Sequence, residues 1–409
     1  MHHDSQNNGS RQARQRSLGR FAPNACRVLG MAGIAANGGS LDEIFTAMLE
    51  ARSGIEPASG PGGFPRAMVH QTVLDLLPNI DGLGPCEKTF RLSLACAKRA
   101  MAQAGESAAW RPRQVGLVLS SAKGEMEDFL AAAAGRASRG HFLLGKLARD
   151  LAVELNLAGP VQAVSNACAS GLVALAQAGR LLAGGRAKAV LVLGADTMSG
   201  FVEEGFASLR ALSPLPCRPF DRQRQGLNLG EGAAALLLDT ASSDEVSPLA
   251  YLNGWSVGND ANHMTGPSRE GSGLSRVMSE TLARAGLAPQ AVGLVNAHGT
   301  GTEYNDEMEG KAIQTIFGDL RPNVVSFKGY LGHTLGAAGV LEAALCIEAL
   351  RRRVSPASLG CGDLGISSPL TVPRQNTPLP GLRAVMTLKS GFGGVNAAAV
   401  FTRQAHHDS

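Results

Sequence analysis

Short apolar runs alternate along this chain with longer Ala/Leu-rich segments in which polar residues recur at helical spacing. The runs "VGLVLS" (115–120), "AVLVLGA" (189–195) and "AVMTL" (384–388) show this clearly. Such runs are typical of strands buried on both faces, and the segments between them are typical of helices. The pattern therefore predicts an α/β protein with largely parallel, buried sheets.

Three pairs of similar runs occur in the same order along the chain: 114–124 with 291–301, 163–175 with 324–339, and 189–200 with 384–394. One such pair could arise by chance, because buried strands share a Val/Leu vocabulary. Three pairs in matching order indicate duplication of one α/β unit. The polar stretch "TASSDEVSPLA" (240–250) marks the boundary between the copies.

We therefore expect an N-terminal half at 23–245 and a C-terminal half at 246–405, preceded by a disordered tail at 1–22. The tail is polar and lacks the apolar core of a signal peptide. The longest apolar stretch, 337–350, is interrupted by two glutamates, so no membrane span is expected.

Composition narrows the class of protein further. The net charge of +4 is too small to indicate nucleic-acid binding, although it is compatible with a local basic patch for an acidic partner. The seven cysteines form no C-x-x-C motif, so neither a disulfide framework nor a zinc site is indicated. This cysteine usage favours a reducing cytosol, and we predict a cytoplasmic protein.

One cysteine, Cys168, lies between the apolar run "VQAV" (161–164) and the helical pattern "ASGLVALAQAGRLL" (169–182). Free N–H groups at a helix start favour the thiolate, and we expect them to lower the pKa of Cys168. Its small neighbours would let a carbonyl group approach the backbone. The alternative is a buried, inert cysteine.

Two histidines follow strands in the other half. His298 begins "HGTGTEYND", and His333 lies in "KGYLGHTLGAAG" (328–339), at the helix start that matches that of Cys168. Sites in α/β folds gather at the carboxyl ends of strands, so we expect both imidazoles beside the cysteine. Each N–H could stabilise negative charge on a thioester oxygen. No carboxylate or second cysteine stands at ligand spacing, and no metal is predicted.

A glycine-rich turn, "SGFGGVN" (390–396), places Phe392 between glycines. Glycines permit unusual backbone angles and close approach, so this turn could bring an N–H group into an oxyanion hole. The alternative is a buried Phe in an ordinary turn.

Together these pieces resemble the β-ketoacyl-acyl carrier protein synthases, the decarboxylating condensing enzymes of fatty-acid and polyketide synthesis. The motifs that carry the resemblance are "NACASG" (166–171), "FDRQRQGLNLGEGAA" (220–234), "DANHMT" (260–265), "NAHGTGT" (296–302), "KGYLGHTLGAAG" (328–339) and "GFGG" (391–394). The resemblance covers nearly the whole chain. It implies the thiolase fold, with duplicated halves in a five-layer αβαβα arrangement, and a protein that is usually dimeric.

The resemblance also implies roles for the reacting residues. Cys168 would carry an acyl chain as a thioester. His298 and His333 would polarise the malonyl thioester of a second carrier protein while carbon dioxide leaves. Phe392 matches the gating residue, whose N–H joins that of Cys168 in the oxyanion hole.

Further roles follow from the same resemblance. Lys328 would support the site electrostatically, with Glu309 as its ionic partner. Thr300 and Thr302 match threonines that hydrogen-bond the phosphopantetheine arm, and Arg210 matches a basic position near the surface where acyl carrier protein docks. No cofactor is implied beyond the phosphopantetheine that arrives on the carrier protein.

Some features narrow the subfamily. The initiating branch would carry Asn in place of His333. The segment between 129 and 156 is short for the family, Gln225 replaces a common Asp, and Lys123 stands where small residues are usual. These departures favour a specialised polyene pathway, such as that of aryl polyenes. Two alternatives stay open: a non-elongating acyltransferase, and a subunit of a ketosynthase heterodimer that shapes chain length.

Overall fold

The structure, a computed structural model, describes residues 25–58, 62–77, 87–105, 111–136, 138–240 and 246–404. The predicted disordered tail (1–22) lies outside the described residues. The same holds for residues 23, 245 and 405, where we place ends of the two halves.

The strands are β1 Cys26–Ala35, β2 Arg66–Ala67, β3 Val115–Ser120, β4 Val161–Val164, β5 Ala189–Asp196, β6 Leu229–Gly230, β7 Gly232–Asp239, β8 Ala250–Asn259, β9 Val292–Asn296, β10 Asn323–Val325, β11 Val354–Ser355, β12 Thr377–Pro378, β13 Ala384–Gly391 and β14 Val395–Thr402. The helices are α1 Leu41–Leu49, α2 Gln71–Asp75, α3 Lys88–Ala104, α4 Met126–Ala133, α5 Leu144–Glu154, α6 Ser170–Ala183, α7 Gly200–Ser208, α8 Ser272–Arg284, α9 Glu303–Phe317, α10 Lys328–Leu331 and α11 Ala338–Arg352.

The main sheet is duplicated. It has ten strands in the order β10-β9-β13-β14-β8-β1-β7-β5-β3-β4. In one half β3 lies between β4 and β5, parallel to both, and in the other half β9 lies between β10 and β13 in the same way. The three pairs of similar runs map onto these equivalent strands and the segments that follow them. The predicted duplication is therefore confirmed.

The prediction of largely parallel sheets is correct only for the outer strands of each half. The inner strands β5, β7, β1, β8, β14 and β13 pair antiparallel with one another. Continuous apolar runs indicate burial on both faces of a strand, but they carry no information on its direction. The sequence pattern therefore located these strands and misjudged how they pair.

Helices α6 and α11 form the central layer. They share one apolar core, while α3 with α5 and α8 with α9 cover the outer faces of the two half-sheets. The two central helices cross at glycines, since a Cβ on Gly171 would lie 2.6 Å from the Cα of Gly339. This is the five-layer αβαβα arrangement of the thiolase fold.

Among the helices of the described residues, none combines the length and the apolar character that crossing a membrane requires.

Candidate active site

The turn between β4 and α6 presents Cys168 to the interior. Ala167 adopts a left-handed conformation with φ of 48°. The hydroxyl of Ser170 accepts a hydrogen bond from the N–H of Asn166 at 2.8 Å and donates to the carbonyl of Ala167 at 2.6 Å. A Cβ on Gly391 would lie 3.1 Å from the backbone nitrogen of Ala169. The small residues around the cysteine therefore allow the glycine-rich turn to pack directly against it.

His333 is fixed through its backbone and its ring. Its N–H donates to the carbonyl of Asn228 at 2.7 Å, and its own carbonyl accepts from the N–H of Gly230 at 3.0 Å. Its Nδ1 accepts from the N–H of Leu335 at 3.2 Å. In the neutral ring the proton therefore resides on Nε2, which donates to the sulfur of Cys168 at 2.9 Å.

His298 follows β9 and is held by Glu309 on α9. The carboxylate of Glu309 accepts from the N–H groups of His298 and Gly299, both at 2.6 Å. The ring of His298 lies edge-on to that of His333, with centroids 5.3 Å apart. One nitrogen of each ring and the sulfur of Cys168 all lie within 4.8 Å of one another.

The ionic partner predicted for Lys328 is wrong. Its Nζ contacts Oε1 of Glu342 on α11 at 2.9 Å, and Glu309 instead holds backbone N–H groups. The other oxygen of Glu342 contacts the Nζ of Lys389 at 2.7 Å. All of these charged side chains are buried. Glu309 therefore positions the loop of His298, and Glu342 is the shared anionic partner of the two lysines.

Burial determines the protonation states at the site. It lowers the pKa of His298 and of His333 well below the usual value, and the positive charge of Lys328 adds to this effect. Both rings are therefore neutral at pH 7.

The expectation of a lowered thiol pKa is wrong for the resting protein. Burial raises the pKa of Cys168 to about 11, although Lys328 and the backbone N–H groups of Cys168 and Phe392 act in the opposite direction. Removal from water disfavours the thiolate more than these donors favour it. The sulfur is therefore a thiol at rest.

Phe392 lies at the mouth of the site and is 36% exposed. Its ring stacks on that of Phe206, with centroids 5.9 Å apart. Gly393 and Gly394 follow it with φ of 86° and 77°, a conformation that favours glycine. The alternative of a buried Phe is therefore wrong, and the N–H of Phe392 interacts with the sulfur.

A cavity of about 580 Å³ leads to Cys168. Thr300 and Thr302 line it, and their hydroxyl oxygens lie 2.8 Å apart. Arg210 also lines the cavity, next to Leu209, which is 49% exposed. The structure thus brings all of the predicted site residues to this cavity except Lys328 and Glu309, which lie behind its walls.

Comparison with known proteins gives the family. The model of the N-terminal domain of beta-ketoacyl synthases matches residues 25–244, more than half of the chain, and that of the C-terminal domain matches residues 249–362. The chain belongs to the beta-ketoacyl synthase family. It is thus a condensing enzyme with a cysteine and two histidines at its centre, as the motifs predict.

Individual members of the family match over most of the chain. The 3-oxoacyl-[acyl-carrier-protein] synthase 2 of Coxiella burnetii is 29% identical, over 92% of this chain and 98% of that protein. One chain of the solved complex of the ketosynthase ApeO with its chain length factor ApeC, from Xenorhabdus doucetiae, is 30% identical with a TM-score of 0.83, over 93% of this chain and 98% of that chain. A beta-ketoacyl synthase from Burkholderia phymatum STM815 is 27% identical with a TM-score of 0.83, over 93% and 100%.

The geometry of the cysteine and histidines does not fit a preformed metal site, although their donor atoms are of suitable type. Tetrahedral zinc would hold a sulfur and an imidazole nitrogen roughly 3.6 Å apart. The Cys168 sulfur and Nε2 of His333 lie at 2.9 Å, which is a hydrogen-bond distance and closer than two ligands of one zinc ion would lie. Buried Lys328 and Lys389 also oppose a cation here.

Sequence reasoning missed the residues behind the site. Glu342 was noted only as an interruption of an apolar run, and Lys389 and Asn296 were not singled out. A charged residue in an otherwise apolar helix requires a buried partner, so Glu342 carried a usable signal. Asp196, fully buried, was also missed. It accepts from the N–H groups of Ala122 and Gly336, which ties β5 to the loop after His333.

Proposed function

We propose that the chain catalyses decarboxylative Claisen condensation of malonyl-acyl carrier protein with an acyl chain carried on Cys168. The observation that carries this proposal is the contact of Nε2 of His333 with the sulfur of Cys168 at 2.9 Å, beside the second neutral imidazole of His298. Two neutral N–H donors facing one nucleophile suit a reaction in which negative charge develops on a thioester oxygen.

In the loading step, the sulfur of Cys168 attacks the acyl thioester of a carrier protein. A carbon–sulfur bond to Cys168 forms and the bond to the phosphopantetheine sulfur breaks. Because Cys168 starts as a thiol, its proton ends on the departing phosphopantetheine sulfur. The N–H groups of Cys168 and Phe392 hold the oxyanion that forms on the way.

In the second step, malonyl carrier protein enters and loses carbon dioxide. The carbon–carbon bond electrons move towards the thioester carbonyl, whose oxygen takes hydrogen bonds from His298 and His333. The resulting carbanion attacks the acyl carbonyl on Cys168, a carbon–carbon bond forms and the bond from that carbonyl to the Cys168 sulfur breaks. The thiolate that leaves takes up a proton from water. The products are β-ketoacyl carrier protein, carbon dioxide and the free cysteine.

The cavity suits a substrate delivered on a long arm. Thr300 and Thr302 offer hydroxyls to the polar groups of phosphopantetheine, and Arg210 offers positive charge to an acidic carrier protein. Apart from this arm, the proposed reaction uses no cofactor.

We propose a dimer, with itself or with a related ketosynthase-like subunit, formed across the edge strand β4. Among the described residues this strand pairs only with β3, and its residue Val161 is 36% exposed. An uncovered strand edge with exposed apolar neighbours is unstable towards pairing. Helix α5 packs against β4 and exposes Val153, and Leu143 immediately before this helix is also exposed.

Elongation in a specialised polyene pathway, such as that of aryl polyenes, is the context we favour. Supporting observations are Lys123 and Gln225 in place of the usual residues, and the similarity to one chain of a solved complex of a ketosynthase with its chain length factor. An alternative is that this chain is itself the partner subunit, or an acyltransferase that does not elongate.

The test is intact-mass spectrometry of the protein with a panel of acyl carrier proteins, followed by malonyl carrier protein. The proposal predicts an acyl adduct on Cys168 that is discharged as a β-ketoacyl product two carbons longer. The Cys168→Ala variant forms neither. Consumption of malonyl carrier protein without a ketoacyl product favours the non-elongating acyltransferase, and unchanged pathway output with Cys168→Ala favours the partner subunit.

A further inference from the structure

Behind the imidazole pair, one buried glutamate is shared by two lysines and an asparagine. Glu342 accepts from Lys328 at 2.9 Å on one oxygen, and from Lys389 and Asn296, both at 2.7 Å, on the other. All four side chains are at most 1% exposed. We call Asn296, Lys328, Glu342 and Lys389 the Glu342 cluster.

Each donor of the cluster precedes a reacting group on the same segment of chain. Asn296 lies shortly before His298, Lys328 shortly before His333, and Lys389 at the end of β13 shortly before Phe392. Glu342 is thus a common anchor for the three segments that meet at Cys168. Lys389 belongs to the strand that leads directly into the turn of Phe392 (390–396), and Asn296 contacts the same strand at the hydroxyl of Thr387.

The cluster has an excess of positive charge. Two lysines face one carboxylate. Besides these groups and the two imidazoles, Lys389 faces the thiol of Cys346, whose pKa is raised by burial. Lys389 itself has a lowered pKa because it is buried, while Glu342 favours its charged form. His298 and His333 face Lys328, Lys389 and one another, and both lysines lower the pKa of each ring.

We propose that Lys389 is a positioning residue for condensation, which anchors the Phe392 turn to Glu342 and keeps His298 and His333 neutral. The inference rests on the proposed function, since it concerns the same imidazoles. A neutral His333 accepts at Nδ1 from Leu335 and donates at Nε2, whereas a protonated ring would turn an N–H towards the N–H of Leu335. Lys389 therefore extends the pH range in which the hydrogen-bond pattern of the site is intact.

The test compares the full chain with Lys389→Met, which removes the charge and keeps the aliphatic stem. The two rings are titrated by NMR of histidine-labelled protein, with assignments from single histidine variants. In parallel, β-ketoacyl product is measured against pH. We expect both the titration midpoints and the acid limb of the product profile to rise by about one pH unit, since a nearby cation is lost. Because the N–H of Phe392 also serves loading, loading of Cys168 falls as well, but by the same factor at every pH.

Two control variants separate charge from packing. Lys389→Arg keeps the cation, and its acid limb stays at the wild-type position. Met386→Leu alters the same strand within the outer core and leaves the profile unchanged. Product loss by the same factor at every pH, with unmoved midpoints, would make Lys389 a structural residue and overturn the proposal. Unchanged behaviour of Lys389→Met would do the same.

The titration of the wild-type imidazoles can contradict the proposal even if the variants do not fold. Imidazoles that titrate near the ordinary histidine value of about 6.5 contradict the proposal directly. Failure of the proposed function is distinguishable, because it shows as absence of an acyl adduct and a ketoacyl product from the wild type. The NMR comparison still measures the effect of Lys389 in that case.

Discussion

The segments that follow β4 and β10 occupy equivalent places in the two halves, but they are built differently. The C-terminal half carries Asn296, Glu342 and Lys389 behind its site. The position equivalent to Glu342 in the N-terminal half, counted from the crossing glycines of the central helices, is Ala174. The buried carboxylate at the end of β5, Asp196, accepts from the hydroxyl of Ser121 and from backbone N–H groups rather than from lysines.

This difference shows how one duplicated scaffold divides the chemistry. The N-terminal half supplies a nucleophile and backbone N–H groups, which need close packing and small residues. The C-terminal half supplies imidazoles, which need a fixed protonation state and therefore buried charges.

Of the changes considered, removal of the Glu342 carboxylate, which Lys328 and Lys389 share, should have the largest effect on stability. Glu342→Gln leaves two buried lysines without an anion, and we expect the free energy of unfolding to fall by about 3–5 kcal/mol. Urea unfolding measures this loss. Glu348→Gln is the matched control on the same helix, where Arg351 and Arg352 pair with Glu348 near the surface. We expect it to lower the free energy of unfolding by less than about 1 kcal/mol, and equal losses would contradict the comparison.

The reactivity of Cys168 tests the site in the N-terminal half. Because the pKa of this thiol is raised to about 11, its alkylation by iodoacetamide should accelerate about tenfold per pH unit between pH 7 and 9. Peptide mass spectrometry gives the rate, with urea-unfolded protein as the control, in which the rate levels off near the ordinary thiol pKa. A plateau below pH 8 in the folded protein would show instead that the helix start ionises the sulfur.

The two glycines at which the central helices cross should be equally sensitive to substitution. Gly171→Ala places a Cβ 2.6 Å from a backbone atom of the opposite helix, and Gly339→Ala places one at 2.5 Å. We expect each variant to lower the free energy of unfolding by about 1–3 kcal/mol. Gly200→Ala, at the start of α7, meets open space and should be nearly neutral. A large loss from only one crossing glycine would show that the halves do not share this contact equally.

Glu309 should have the smallest effect of the four. In Glu309→Gln a single amide oxygen replaces the two oxygens that accept from His298 and Gly299. We expect condensation to fall about tenfold while acyl loading changes less than about twofold. Intact-mass assays of the two half-reactions check this, with Glu307→Gln, which contacts Ser367 at the surface, as the control. Equal losses in both half-reactions would assign Glu309 to the fold.

Much of the fold was predictable because duplication leaves a trace in sequence. The runs at 115–120, 189–195 and 384–388 became the strands β3, β5 and β13, and the cysteine and histidine motifs lie at strand ends that meet. Strand direction was not predictable, because apolar runs such as "AAALLL" in β7 indicate only that both faces are buried.

The candidate site was predictable where residue type alone suggests chemistry. Cys168, His298 and His333 are of that kind. The pairing of Lys328 with Glu342 was not found, since both Glu309 and Glu342 are carboxylates in helices of the C-terminal half. Only tertiary packing decides which of them faces the lysine. The protonation state of the Cys168 sulfur was misjudged for a related reason. Its place at the start of a helix can be read from the sequence, but its removal from water cannot.

The carboxylate of Glu342 also constrains how the chain reaches its native state. Helix α11 is buried from Ala338 to Leu350, and the partners of Glu342 come from three segments distant in sequence. A central helix inserted at the wrong depth would bury this carboxylate without partners, at a cost of several kcal/mol. Misregistered assemblies of the two halves are therefore disfavoured, and the charge behind the site acts as a check on correct folding.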